Sequence, residues 1–190
     1  MPLDNSPDLI VRAQQGSGEA AGKLYEEHFR SVFRYLFYAT GDQAAAEDLT
    51  GDVFLKMVQA LPGYRATSAA FRTWLFQIAR NLAIDHYRRS SAHPVEQLAE
   101  SAPDQRERPE AHVEANLTAE RLQAALQRIG SDQRDVLVMR FIDDLSLQET
   151  ARVLHRSEDA VKGLQRRGLA ALRDLLTTTE ENDGQSPRPV

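Results

Sequence analysis

Cysteine is absent from the 190 residues, which excludes disulfides, cysteine-ligated zinc and a thiol nucleophile together. No apolar run approaches the roughly 18–20 residues that a membrane span needs. The N-terminus, MPLDNSPDLIVR, lacks the basic flank and apolar core of a secretory signal. These absences, with 42% hydrophobic residues and a mean hydropathy of −0.48, describe a soluble cytoplasmic protein. At roughly 100–200 residues per domain the chain is one medium domain or two small ones. Strict apolar/polar alternation is also missing, so strands are not expected.

Helices are expected instead. The eight prolines leave 8–61, 63–93 and 110–186 uninterrupted. In 42–61, Ala45, Leu49, Val53, Met57 and Ala60 recur every three or four residues, with Asp42 placed to cap and Pro62-Gly63 to stop the helix. In 71–89, Trp74, Ile78 and Leu82 mark one apolar line, with Leu75 and Ala79 beside it. Residues 90–115 hold three prolines, no aromatic residue and few large aliphatics, too little apolar surface to offset ordering. The expected architecture is all-α: a helical domain over 1–90, a flexible acidic linker over 91–117, a helical domain over 118–176 and a frayed tail over 177–190.

The formal charge of −5 speaks against nucleic acid only as an average. Residues 1–90 and 121–190 are each neutral, and 91–120 carry the whole excess, with two basic and seven acidic side chains. Within the domains, 65–89 have five arginines against one aspartate, and 152–173 have six basic residues against two acids. Each is a basic segment on an expected helix, a footprint for a polyanion, although a solvated arginine-bearing surface gives the same pattern.

Residues 146–172, SLQETARVLHRSEDAVKGLQRRGLAAL, have the pattern of a helix-turn-helix. Ser146 and Glu149 form a capping box, Leu147, Ala151 and Leu154 line the first helix, and His155-Arg156-Ser157 is the turn. Ser157 caps the second helix, whose stripe is Val161, Leu164, Gly168, Ala171 and Leu172. Lys162, Arg166 and Arg167 fall mainly outside that stripe, where they can meet base edges or phosphates. His155 stands where the turn often carries glycine, at some conformational cost.

Further upstream, 62–89 concentrate Tyr64, Phe71, Trp74, Phe76 and Tyr87 among arginines, the combination that stacks unpaired bases and neutralises their backbone. The Gly63–Ala70 loop is small and polar enough to cup an extruded base. Gln77, Asn81, Asp85 and Arg89 form a hydrogen-bonding ridge away from the apolar face. Phe71 and Phe76 read as core; Trp74 is open to either role.

The runs AAAEDLTGDVFLKMVQALPGYR (44–65) and FRTWLFQIARNLAIDHYRR (71–89) resemble region 2 of bacterial sigma factors of the extracytoplasmic-function class. Residues 121–176 resemble their region 4. The resemblance implies a chain that binds core RNA polymerase, directs it to promoters and helps to melt DNA. It assigns Glu47, Asp48, Leu49, Asp52, Val53 and Phe54 to docking on the polymerase. Tyr64, Arg65, Ser68, Trp74, Arg80, Asn81, Asp85 and Arg88 would recognise and open the −10 element. Lys162, Gly163, Arg166 and Arg167 would read the −35 element. It also implies an anti-sigma partner, commonly membrane-bound in that family, and no small-molecule substrate, cofactor or metal. There is no room for the further domains of primary sigma factors.

The chain departs from the family pattern at Gly51, a weak helix residue where Gln is frequent, and at Leu164 and Gln165 in the recognition helix. A helix-turn-helix regulator acting without polymerase would account for 146–172 but not for the Trp/Arg helix. Enzymatic activity is not expected: His28, His86, His93, His112 and His155 are scattered, and no HExxH or Walker loop is present.

Overall fold

The computed structural model describes residues 7–65, 71–92 and 110–183, and every regular element among them is helical. The first half comprises α1 (Pro7–Gln14), α2 (Gly18–Thr40), α3 (Gln43–Ala60) and α4 (Phe71–Ala92), with a short 3-10 turn at Leu61–Gly63. The second comprises α5 (Glu110–Arg128), α6 (Ser131–Leu137), a π-helical turn at Val138–Ile142, α7 (Leu147–Leu154) and α8 (Glu158–Asp183).

Local chemistry sets the helix ends. Ser17 caps α2, accepting from the Ala20 amide at 3.3 Å, and Asp42 caps α3, accepting from the Ala45 amide at 2.6 Å, as its position before the apolar run predicted. Between them the chain reverses at Gly41, whose φ of 76° suits glycine. A Cβ there would also come within 2.9 Å of Gln127 Cδ, so the second half of the chain closes on this turn.

Two limits of the expected architecture move. Helix α5 begins at Glu110, inside the segment read as linker, directly after Pro109 and with no further proline along its length. Helix α8 runs to Asp183, into the segment read as tail, carried by the Leu172–Leu175–Leu176 stripe that precedes it. The remainder of the linker, 93–109, lies outside the described residues.

One buried cluster runs through both halves. Leu24, Val32, Leu36, Val53, Met57, Phe71, Leu75 and Phe76 share it with Leu126, Leu137, Val138, Met139, Leu145 and Val153. Helix α2 is the shared wall: it packs on α1, α3 and α4 along one flank and on α5, α6 and the π turn along another. Helix α4 meets α7. A second, smaller cluster of Val136, Ala151, Leu154 and Val161 holds α7 and α8 together. No helix among the described residues is long and apolar enough to cross a membrane.

Candidate nucleic-acid interface

The N-terminal face is an aromatic platform set on a buried imidazole. Pro62-Gly63 turns the chain, and the Tyr64 amide donates to the Leu61 carbonyl at 3.0 Å. Gln14 of α1 donates to the same Leu61 carbonyl at 3.1 Å and to the Tyr64 carbonyl, tying the entry of the loop to the bundle. Tyr64 lies edge-on to Phe71, with centroids 5.5 Å apart, and 4.7 Å from the Trp74 ring. Phe71 and Phe76 are buried, as core residues should be, whereas Trp74 and Tyr64 keep half-exposed faces. Beneath Phe71, at 5.5 Å, sits His28, fully buried. Burial, and then the charge of Arg72, hold its pKa down at about 4. Ser68, assigned to the same surface, lies outside the described residues, as do 66–70 in general.

Further along α4, Asn81, Asp85 and Arg88 are exposed, with Arg88 reaching Asp85 at 3.8 Å. Asp85 and Arg88 border a groove of about 510 Å³ between α4 and α3 that also takes in Leu82, Asp52, Leu55 and Lys56. The expected ridge is interrupted at its N-terminal end, where Gln77 donates to the Arg152 carbonyl of α7 at 3.0 Å.

The assignments on α3 divide by burial. Glu47, Asp48 and Asp52 are exposed and can meet a basic partner. Leu49, Val53 and Phe54, assigned to the same docking surface, are 4%, 0% and 6% exposed and hold α3 against the bundle. Their helical spacing was itself the signal of a core stripe, which in the structure runs through Ala46, Leu49, Thr50, Val53, Phe54 and Met57. The apolar residues that α3 does present are Leu55 and Val58, 56% and 51% exposed. Both sit off the stripe, and large aliphatics off the stripe beside surface acids were the available signal.

The C-terminal face follows its motif closely. Ser146 accepts from the Glu149 amide at 3.1 Å, and the Glu149 carboxylate accepts from the Ser146 amide at 2.7 Å. His155 takes the left-handed conformation, φ 52° and ψ 45°, and Ser157 caps α8 through the Ala160 amide at 3.2 Å. Val161 and Gly168 face inward, and Lys162, Arg166 and Arg167 are exposed. Lys162 pairs with Asp159 at 3.1 Å. Gly163 borders the Arg167 guanidinium, which a Cβ would approach at 3.3 Å. Among the described residues no group of three or more metal-ligating side chains is assembled.

Arg80 does not join the exposed residues of α4. Its guanidinium donates to Asp135 at 3.0 Å and Asp132 at 2.9 Å, both on α6, with 15% of the side chain exposed. Asp135 also accepts from the Tyr35 hydroxyl at 3.1 Å, and Arg156, in the helix-turn-helix turn, binds the other Asp132 oxygen at 2.5 Å. Burial pushes the Asp135 carboxyl up, against the pull of Arg80. A parallel contact joins Arg34 of α2 to Asp143 at 2.9 Å through its Nε, and Arg72 donates to the Asp143 carbonyl. Sequence reading did not find these acids, because nothing local marks a carboxylate whose partner is 55 or 109 residues away.

Two family models match in order along the chain: Sigma-70 region 2 over residues 24–93 and Sigma-70, region 4 over residues 125–174. The ECF RNA polymerase sigma factor BldN of Streptomyces coelicolor is 37% identical over 172 residues, covering 89% of this chain and 65% of BldN. The chain therefore spans just under two thirds of that relative. The ECF RNA polymerase sigma factor SigX of Bacillus subtilis is 33% identical over 164 residues, covering 83% of this chain and 84% of SigX. CnrH, solved in complex with the cytosolic domain of CnrY, superposes with a TM-score of 0.70 at 26% identity, covering 94% of this chain and 97% of that one. Both regions are thus matched, in order, and the chain belongs to the ECF RNA polymerase sigma factors.

Proposed function

We propose that the chain binds core RNA polymerase, directs it to promoters and assists melting, without catalysis of its own. The observation that carries this reading is the pairing, on one chain, of an aromatic and basic face with a basic helix-turn-helix. The first suits unpaired bases and the second suits duplex DNA. Tyr64, Arg65, Ser68, Trp74, Asn81, Asp85 and Arg88 would serve the −10 element, with Arg80 joining them once released from α6. Lys162, Arg166 and Arg167 would serve the −35 element, with Gly163 giving the backbone close approach. Glu47, Asp48 and Asp52, with the exposed Leu55 and Val58, form the surface for the polymerase. CnrH was solved with a bound protein partner, which supports a comparable anti-sigma protein here.

Reconstitution with core polymerase and sequencing of transcript starts tests the reading. Promoter-specific starts are expected; their absence with any competent core enzyme refutes it, and duplex binding alone would favour a regulator that acts without polymerase. In the same system Arg166→Ala should lower initiation while core-enzyme binding is retained. Asp48→Lys with Asp52→Lys should weaken core-enzyme binding.

A further inference from the structure

Tyr64, Arg65 and Trp74 share a cleft with the start of α8 and the turn before it. Its volume is about 890 Å³, within the range of small-molecule sites. A duplex, whose major groove alone is ~12 Å wide, is too large for it. One wall is aromatic. Trp74 and Tyr64 present half-exposed rings with centroids 4.7 Å apart and planes inclined by 41°, an angled platform on which a flat ring can stack. The opposite wall, from α7, the turn and α8, is polar. Three guanidiniums, of Arg65, Arg152 and Arg156, line the cleft against one carboxylate, Glu158, so among the described residues its lining is cationic.

Both walls are held from behind. Gln14 donates to the Leu61 and Tyr64 carbonyls, and Phe71 backs Trp74 with centroids 5.4 Å apart. Asp132 fixes one end of the Arg156 guanidinium at 2.5 Å, and that fork has further N–H donors to offer. The Gln77 amide joins the walls through the Arg152 carbonyl at 3.0 Å. Support of this kind keeps a binding constellation in its geometry. An aromatic platform facing an excess of guanidiniums selects a ligand that is both a flat ring and a polyanion. A simple anion leaves the rings unused, and a neutral ring leaves the arginines unpaired.

We infer that the cleft binds a nucleoside di- or triphosphate, its base stacked on Trp74 and Tyr64 and its phosphates held by Arg65 and Arg156. Such a ligand touches both halves of the chain. It also occupies the ring faces proposed for −10 bases, and for that consequence alone the inference rests on the sigma reading.

Trp74, the single tryptophan, reports binding directly, because a stacked base quenches its fluorescence. The full chain is titrated with GTP, ATP, guanosine and inorganic tripolyphosphate, with calorimetry as a second readout. GTP and ATP should quench Trp74 and saturate below about 1 mM. Guanosine and tripolyphosphate should each bind at least roughly tenfold more weakly, since each lacks one of the two recognised parts. Arg156→Gln, on the helix-turn-helix wall, should weaken GTP binding roughly tenfold by loss of a phosphate contact. Arg65→Gln, at an exposed position outside the core, should do the same. Lys23→Gln/Arg30→Gln, at exposed positions of α2 outside the cleft, should change the affinity less than about twofold. No saturable quenching, tripolyphosphate or guanosine binding as tightly as GTP, unchanged affinity in Arg156→Gln, or equal losses in the control would each overturn the site. Initiation with core polymerase separates the two readings. If wild type initiates and binds no nucleotide, only the site falls; if it binds nucleotide and never initiates, the sigma reading falls and the site stands.

Discussion

His28 ties the acid stability of the protein to the geometry of its aromatic platform. The imidazole is fully buried against Phe71, and burial, aided by the charge of Arg72, lowers its pKa to about 4 from 6.5. In the unfolded chain it takes up a proton as pH falls through 6.5, whereas in the fold it resists until about 4. Between those values the unfolded state binds more protons, so stability falls as pH falls. With those two constants the loss is about 2.5 kcal/mol at pH near 4.5, approaching about 3 kcal/mol at lower pH. Asp143 acts in the opposite sense. Burial raises its carboxyl to about 6 despite Arg34, so it favours the fold at low pH and loses that contribution as pH rises. Comparing wild type with His28→Gln by urea denaturation cancels Asp143 and every other shared group. The difference between the two free energies should change by about 2.5 kcal/mol between pH 7.5 and about pH 4.5, with the wild type losing more. Trp74 is the single tryptophan and its ring lies tilted against Phe71 with centroids 5.4 Å apart, so its fluorescence should follow the same titration in wild type and not in the variant. Parallel stability curves would show that the imidazole is not held uncharged, and the account of the platform would fail.

Four further substitutions test the packing and the caps. Gly51 is exposed in mid-helix with nothing within 4 Å of a built Cβ, so Gly51→Ala should raise the denaturation midpoint, by about 0.5–1 kcal/mol. Destabilisation there would mean that α3 is packed differently. Gly168→Ala should cost about 1–3 kcal/mol, because its Cβ would press on Leu137 Cδ1 at 3.2 Å and Gln133 Cβ at 3.3 Å where α8 crosses α6. Gly163→Ala, which meets only the movable end of Arg167, should instead be neutral or stabilising by up to about 1 kcal/mol; thermal melts distinguish the two sites. Ser146→Ala removes half of the α7 capping box and should cost about 1 kcal/mol, with amide exchange accelerating first at Glu149; unchanged protection would refute the cap.

Much of the fold could be read locally, because its signals are local. A capping oxygen acts over three residues, as at Asp42, Ser146 and Ser157, and an apolar stripe declares itself within a few turns, as in α7 and α8. The turn at His155 was legible for the same reason, despite its residue type. The stripe of α3 is where a local reading is ambiguous, because the same apolar residues suit the core and a partner. The fold buries Leu49, Val53 and Phe54, since a helix buries the residues that share its inner face.

The sequence alone therefore determined the all-α class, the helix-turn-helix with its caps, the aromatic and basic composition of α4, and the separation of charge behind the net −5. Tertiary structure decided which face of α3 is free, that His28 is held uncharged, and that the two halves share one core along α2. It also decided that Arg80 answers to acids on α6 instead of lying open on its own helix. The physical reason is range. Propensity, capping and periodicity are properties of neighbours in the chain, whereas burial and charge pairing belong to residues that only folding brings together.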